Sequence, residues 1–353
     1  MIGALRGWRG VMVLSVVLMH NGIHAADQMS WAAVVFFFVS SGFLMSMRHP
    51  VDEGGVTASA CVESGRRFAT RVGPLHWLAL AVVLAVQLRD GRFTFSPALA
   101  ANALLVHSWV PVREVFLSFN KPSWFLATLL ALYAAYPLLR RLMSRLGESG
   151  GVLLVVAWGT VMAVVLWHCD QPTRDWLHTF PPVRAGDFLL GMLVYDLWAR
   201  GQAKARPYMP HATYYALIEF GAVALLAAFV VTDRLSDNAL VAWNSNLLYW
   251  LPVAAVVLAA AVCNGNEGPI GRLLLSTPLQ WLGGISLELY MMHTPTGLMV
   301  DRLVAPVLGH FGVMNYDWEW LMTLVALFPV AWATHRWFTV PVTRRLLSSP
   351  APS

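Results

Sequence analysis

An all-α, polytopic transmembrane helical bundle of about ten spans is the fold this sequence predicts, and three observations predict it. Only 12% of the 353 residues are charged while 58% are hydrophobic, against about 25% charged in an ordinary soluble domain. Apolar runs long enough to cross a bilayer recur from one end of the chain to the other. Basic residues fall in short clusters between those runs, as they do in cytoplasmic loops of membrane proteins. A soluble protein of this length could not hide so much apolar surface and keep a wettable exterior. The net charge of +5 sits in those loop clusters, which argues for membrane lipid and against nucleic acid as a partner.

The first run, 9–25, follows Arg6 and Arg9 and ends near Ala25 and Ala26, a layout that resembles a secretory signal. A span is the better reading, because Arg9 abuts the run and a second run, 31–47, follows almost at once. Next come 73–89, 97–112, 123–140, 152–168, 183–199, 213–232, 246–264, 279–304 and 318–338. The run 97–112 is short and carries Asn102, His107 and Pro111. Charge decides how it is placed. With a cytoplasmic N-terminus and no crossing at 97–112, the clusters at 48–71, 140–145, 200–206 and 336–345 all lie inside. Were that run to cross, the last three would lie outside, against the positive-inside rule. The sequence therefore predicts ten crossings with both termini cytoplasmic, and a re-entrant or interfacial segment near 97–112 buried against the bundle.

Residues 1–345 read as a single transmembrane domain, followed by a short cytoplasmic tail, 346–353. The one long inner loop holds 61–71 (CVESGRRFATR), which reads as an amphipathic helix lying on the inner surface. Cys61, Cys169 and Cys263 have no metal-type spacing. The predicted topology sets Cys169 on the opposite side from the other two, so neither a structural disulfide nor a metal is expected. No internal repeat is visible, which counts mildly against inverted-repeat transporters.

Arg9 and His20 carry the first chemistry. Eleven residues at about 100° each return to within about 20° of the same helix face, about 16 Å further along the axis. Arg9 then sits at the cytoplasmic mouth and His20 deep in the membrane, both facing one cavity. Ionisable groups at membrane depth are costly and usually face a pathway or site. A neutral imidazole, with an ordinary pKa near 6.5, can take a proton from an attacking hydroxyl. The alternative is a positive-inside arginine and a histidine that packs against a neighbouring helix. Spacing alone weighs the two about equally.

Six segments in register add to this. Residues 9–20 (RGVMVLSVVLMH) place an arginine eleven positions before a histidine, and 35–44 reads VFFFVSSGFL. Residues 66–74 read RRFATRVGP, and 121–126 read KPSWFL, with Tyr133, Tyr136 and Pro137 beyond. Further on, 184–191 reads RAGDFLLG and 285–293 reads ISLELYMMH. Together they resemble the membrane proteins of acyltransferase family 3, over most of the chain. The resemblance implies an acyl-CoA-dependent O-acyltransferase in the bacterial inner (plasma) membrane. Such an enzyme moves an acyl group, often acetyl from acetyl-CoA, to a hydroxyl of a carbohydrate, a lipid-linked glycan or a similar acceptor. It also implies that His20 is catalytic and that Arg9 is needed for use of the acyl donor.

Two departures stand out. Many members carry an acidic residue a few positions after the tryptophan matching Trp124, whereas 125–132 holds no carboxylate. The basic run has three residues between Arg67 and Arg71 instead of two, so their pairing with CoA phosphates is left open. Arg67 and Arg71 can still clamp those phosphates at the inner surface, as arginine suits bidentate phosphate binding, though ordinary inside-loop charge explains them equally. Trp124 is a candidate wall of the acyl tunnel, or a member of an interfacial aromatic belt. Arg184 and Asp187 read as a structural i,i+3 pair. Glu288 and His293 are candidates for the acceptor side of the cavity, or for holding a helix junction. Ser41, beside Ser40, is a further acceptor-side candidate, although small residues here also serve close helix packing.

The expected mechanism has Arg9, Arg67 and Arg71 holding the donor phosphates while His20 acts as general base. A transient acyl-histidine is an open variant. The competing class is a transporter or flippase for a glycolipid or small anion, with Arg9 and His20 lining its pathway.

Overall fold

A computed structural model describes residues 2–49, 56–204, 212–236, 245–310 and 319–348. Helices dominate and no strand occurs among the described residues, as a bilayer requires when every backbone polar group must be satisfied within its own segment. The described helices follow one another along the chain. They begin with α1 (Gly3–His20), α2 (Asp27–Arg48) and α3 (Ala58–Arg89). After the short α4 (Pro97–Ala103) and α5 (Arg113–Phe116) comes α6 (Trp124–His168). Its 45 residues would extend about 67 Å as one helix, twice a bilayer core. Gly147 breaks it with φ 64° and ψ −170°, a conformation natural to glycine, and the two halves are separate rods.

The amphipathic α7 (Gln171–Thr179) leads to α8 (Pro181–Lys204) and α9 (Ala212–Leu235). Then come α10 (Ser245–Leu248), α11 (Trp250–Val262), α12 (Pro269–Leu274) and α13 (Thr277–Gly284). Helix α14 (Ser286–Met299) passes through a π turn (Val300–Val304) into α15 (Ala305–His310). Finally α16 (Glu319–Ala333) passes through a second π turn (Thr334–Thr339) into α17 (Val340–Ser348). The stretches His24–Arg48, Ala58–Arg89, Lys121–His168 and Thr213–Leu235 are long and apolar enough to cross a membrane by length and composition. Large apolar side chains such as Leu153, Val156, Leu217 and Phe220 stay exposed along α6 and α9, which lipid as solvent makes favourable.

Helix α2 is the central post. Phe36, Phe38 and Phe43 are fully buried on it, and it packs most extensively against α8. Two glycines allow that approach. A Cβ on Gly42 would collide with the Phe188 carbonyl, and one on Gly191 with the Val39 carbonyl. Small residues are what let membrane helices approach backbone to backbone.

The segment 97–112 does not form a spanning helix. Its α4 has 7 residues, about 10 Å of rise, and it is tied into the bundle by polar contacts. The fully buried Asn102 donates to the Ser118 carbonyl at 3.0 Å, and its own carbonyl lies 2.9 Å from His76 Nε2. Ser123 Oγ lies 3.1 Å from His107 Nε2.

Two expectations need correction. Residues 61–71 are not a separate surface helix but the first turns of the 32-residue α3. Ser64 donates to the Tyr133 carbonyl at 2.6 Å and Gly65 lies against Ala134, so this stretch is drawn onto α6. The run 279–304 is also not one helix. It breaks between α13 and α14, where Gly283 admits the Arg6 carbonyl so closely that a Cβ would collide with it.

Candidate active site

Helices α1 and α14 lie side by side, and α14 meets α1 through polar residues at two levels. At one level stand two histidines. His293 is 2% exposed, and its Nε2 lies 3.1 Å from His20 Nδ1. The rings are stacked, with centroids 4.9 Å apart and planes 18° from parallel. One proton serves that N···N contact, so one ring donates and the other accepts. Tyr290 sets its ring edge-on to His293 at 6.0 Å. The buried Asn120 donates to the Met291 carbonyl at 3.0 Å, which fastens the loop before α6 onto α14. Lys121, next along that loop, is a charge neighbour of His20.

His20 is the last residue of α1 and is exposed. The helix stops there because Gly22 turns the chain with φ +81°. The imidazole thus stands at the end of the rod, about 25 Å from Gly3, and not midway through a longer one as the apolar run 9–25 suggested.

At the other level lies a basic cup. Arg9 is partly buried, with Tyr133, Glu288, Arg48 and Arg6 as its charge neighbours. The Tyr133 hydroxyl is an electrostatic neighbour of Ser41, Arg9, Arg48 and Arg71. Ser41 also donates to the Phe37 carbonyl at 2.7 Å, which holds its hydroxyl on the face of α2 that meets Tyr133. Glu288, 2% exposed, lies 2.9 Å from His335 Nδ1. Glu288 and His293 are five residues apart on α14, so Arg9 and His20 share one partner helix.

The predicted residues divide accordingly. The structure brings His20 to His293, and Arg9, Arg71, Ser41 and Glu288 to the basic cup. Arg67 is placed elsewhere. It donates to Glu63 at 2.6 Å on an exposed face that Arg66 shares. Trp124 is also elsewhere, edge-on to His178 at 4.9 Å and 6.3 Å from Phe38. The Arg184 guanidinium lies 5.7 Å from the Trp124 ring. Arg184 and Asp187, 1% and 2% exposed, pair at 3.0 Å, and Arg184 also donates to the His178 carbonyl at 2.7 Å. Trp250 donates to Asp187. This satisfied network joins α6, α7, α8 and α11, and the i,i+3 pair is part of it.

Arg48 and His335 were not among the expected site residues. Arg48 carried a signal only as an inside charge ending the second span. His335 carried none, since 47 residues separate it from Glu288.

The model of the family described as "Acyltransferase domain" (Acyl_transf_3) matches residues 2–336. The chain is 27% identical over 315 residues to "Acyltransferase MdmB" of Streptomyces mycarofaciens, covering 82% of this chain and 72% of that one. It is 26% identical over 332 residues to "Putative peptidoglycan O-acetyltransferase YrhL" of Bacillus subtilis (strain 168), covering 88% of this chain and 51% of that one. It thus spans about half the length of the second relative. No solved structure matches. With a family match over nearly its whole length, this all-α membrane bundle belongs to acyltransferase family 3.

Proposed function

We propose that this protein transfers an acyl group, acetyl first among candidates, from cytoplasmic acyl-CoA to a hydroxyl of a cell-envelope glycan or related acceptor. The observation that carries the reading is the double engagement of α14. It meets the base candidate His20 through His293, and its Glu288 is a charge neighbour of the donor-side Arg9. The name of the YrhL relative, a peptidoglycan O-acetyltransferase, supports a glycan acceptor.

In this reading Arg9, Arg48 and Arg71 hold the donor phosphates around Tyr133, and the pantetheine arm runs along α14 towards His20. His20 donates from Nδ1 to His293, which leaves the Nε2 lone pair to accept the acceptor's hydroxyl proton. The alkoxide oxygen attacks the thioester carbonyl and the C–S bond breaks. The departing CoA thiolate then takes the proton from the imidazolium, so the base is regenerated. General base catalysis of this kind is worth about 10²- to 10⁴-fold.

His20→Ala in purified, membrane-reconstituted protein tests the proposal. Acceptor-dependent release of free CoA from acetyl-CoA is expected to fall at least about 100-fold. Full activity in that variant would refute His20 as base. A protein that releases no CoA at all in its wild-type form is not an acyl-CoA-dependent enzyme.

A further inference from the structure

The buried carboxylate of Glu288 has no part in the transfer steps above. It is 2% exposed on a helix that lines the bundle interior, where an ionised carboxylate is expensive unless paired. Two cationic or protonatable groups from different elements surround it, one in direct contact and one acting through its charge. Arg9 approaches from α1 as a charge neighbour, and His335 from the far side at 2.9 Å.

The second partner depends on an irregular backbone. His335 belongs to the π turn Thr334–Thr339 inside an otherwise continuous helix. Single π turns re-aim side chains and are often found at functional sites. Here the extra residue lies in the same turn as the imidazole that meets Glu288. Arg9 has Arg6 and Arg48 as like-charged neighbours, which would push its guanidinium away from the cup. Glu288 supplies the opposing attraction, and His335 fixes where Glu288 stands.

We propose that Glu288, held by His335, is a positioning residue that aims the Arg9 guanidinium at the phosphates of the acyl donor. The inference rests on the reading of the basic cup as the donor site. It assigns Glu288 to the donor end of α14, whereas the sequence suggested the acceptor side. The role is electrostatic and directional. A carboxylate one methylene shorter therefore keeps part of it, while an uncharged amide of the same shape loses it.

The test is binding of CoA to purified protein in lipid nanodiscs, read by titration calorimetry, together with KM and kcat for acetyl-CoA. Glu288→Gln is expected to weaken CoA binding and raise KM about tenfold or more, with kcat changed much less. Glu288→Asp recovers part of that loss, and His335→Ala gives a smaller rise in KM. Melting temperatures in the same nanodiscs report folding for each variant. Should Glu288→Gln fail to fold, His335→Ala carries the test, because it removes the support while leaving the carboxylate in place. Wild-type or tighter CoA binding by a folded Glu288→Gln, or by His335→Ala in its place, would overturn the proposal alone. Wild-type protein that binds no CoA would overturn the donor reading itself, and this inference with it.

Discussion

His293 shows how much a single side chain can decide. Its ring is buried and meets His20 at 3.1 Å, so removing it takes away the side-chain partner of His20 Nδ1. Positioned general base catalysis is worth about 10²- to 10⁴-fold, and part of that is lost when the base loses the ring that orients it. His293→Phe is therefore expected to lower kcat by about tenfold or more while KM for the acyl donor barely moves. His293→Gln, whose amide can still bond to Nδ1, should retain more activity. A KM effect as large as the kcat effect would mean that His293 serves the donor end instead. Legibility was uneven at this scale. His20 could be read as a candidate because Arg9 stood eleven residues before it on an apolar helix. Its bond to His293 could not, because 273 residues separate the two.

At the level of elements, glycines decide which helices touch. Helices α2 and α8 meet where Gly42 faces the Phe188 carbonyl and Gly191 faces the Val39 carbonyl. Gly42→Ala inserts a methyl where backbone already sits, and overpacking of this kind costs about 1–3 kcal/mol. The expected result is a lower melting temperature in detergent, with activity per folded molecule largely kept because Gly42 lies outside the His20 pair. An unchanged melting temperature would show that the two helices separate easily. The SGF stretch around Gly42 was visible in the sequence. Its partner helix was not, since the contact is between backbones, and a hydropathy pattern says nothing about which apolar face meets which.

For the whole molecule, charge placement implies an orientation. The proposed topology has both termini cytoplasmic, Cys61 inside and Cys169 outside. Both cysteines are partly exposed, while Cys263 is buried. In intact cells a membrane-impermeant maleimide is expected to label Cys169 and to spare Cys61 until the membrane is opened. Labelling of Cys61 first would invert the bundle and move the basic cup away from cytoplasmic acyl-CoA.

Composition, the spacing of apolar runs and the clustering of arginines determined on their own that this is an α-helical membrane bundle. They also set aside the segment near 97–112 as one that does not cross. These are properties of a chain in contact with a low-dielectric solvent, and each span obeys them almost independently of the others. The tertiary structure alone decided that Arg67 pairs with Glu63, that Trp124 sits within the Arg184 network, and that Arg48 and His335 join the candidate site. Those outcomes depend on the rotation of each helix about its axis and on which helices become neighbours. Both are set by close packing between segments far apart in the chain, and hydropathy cannot express that.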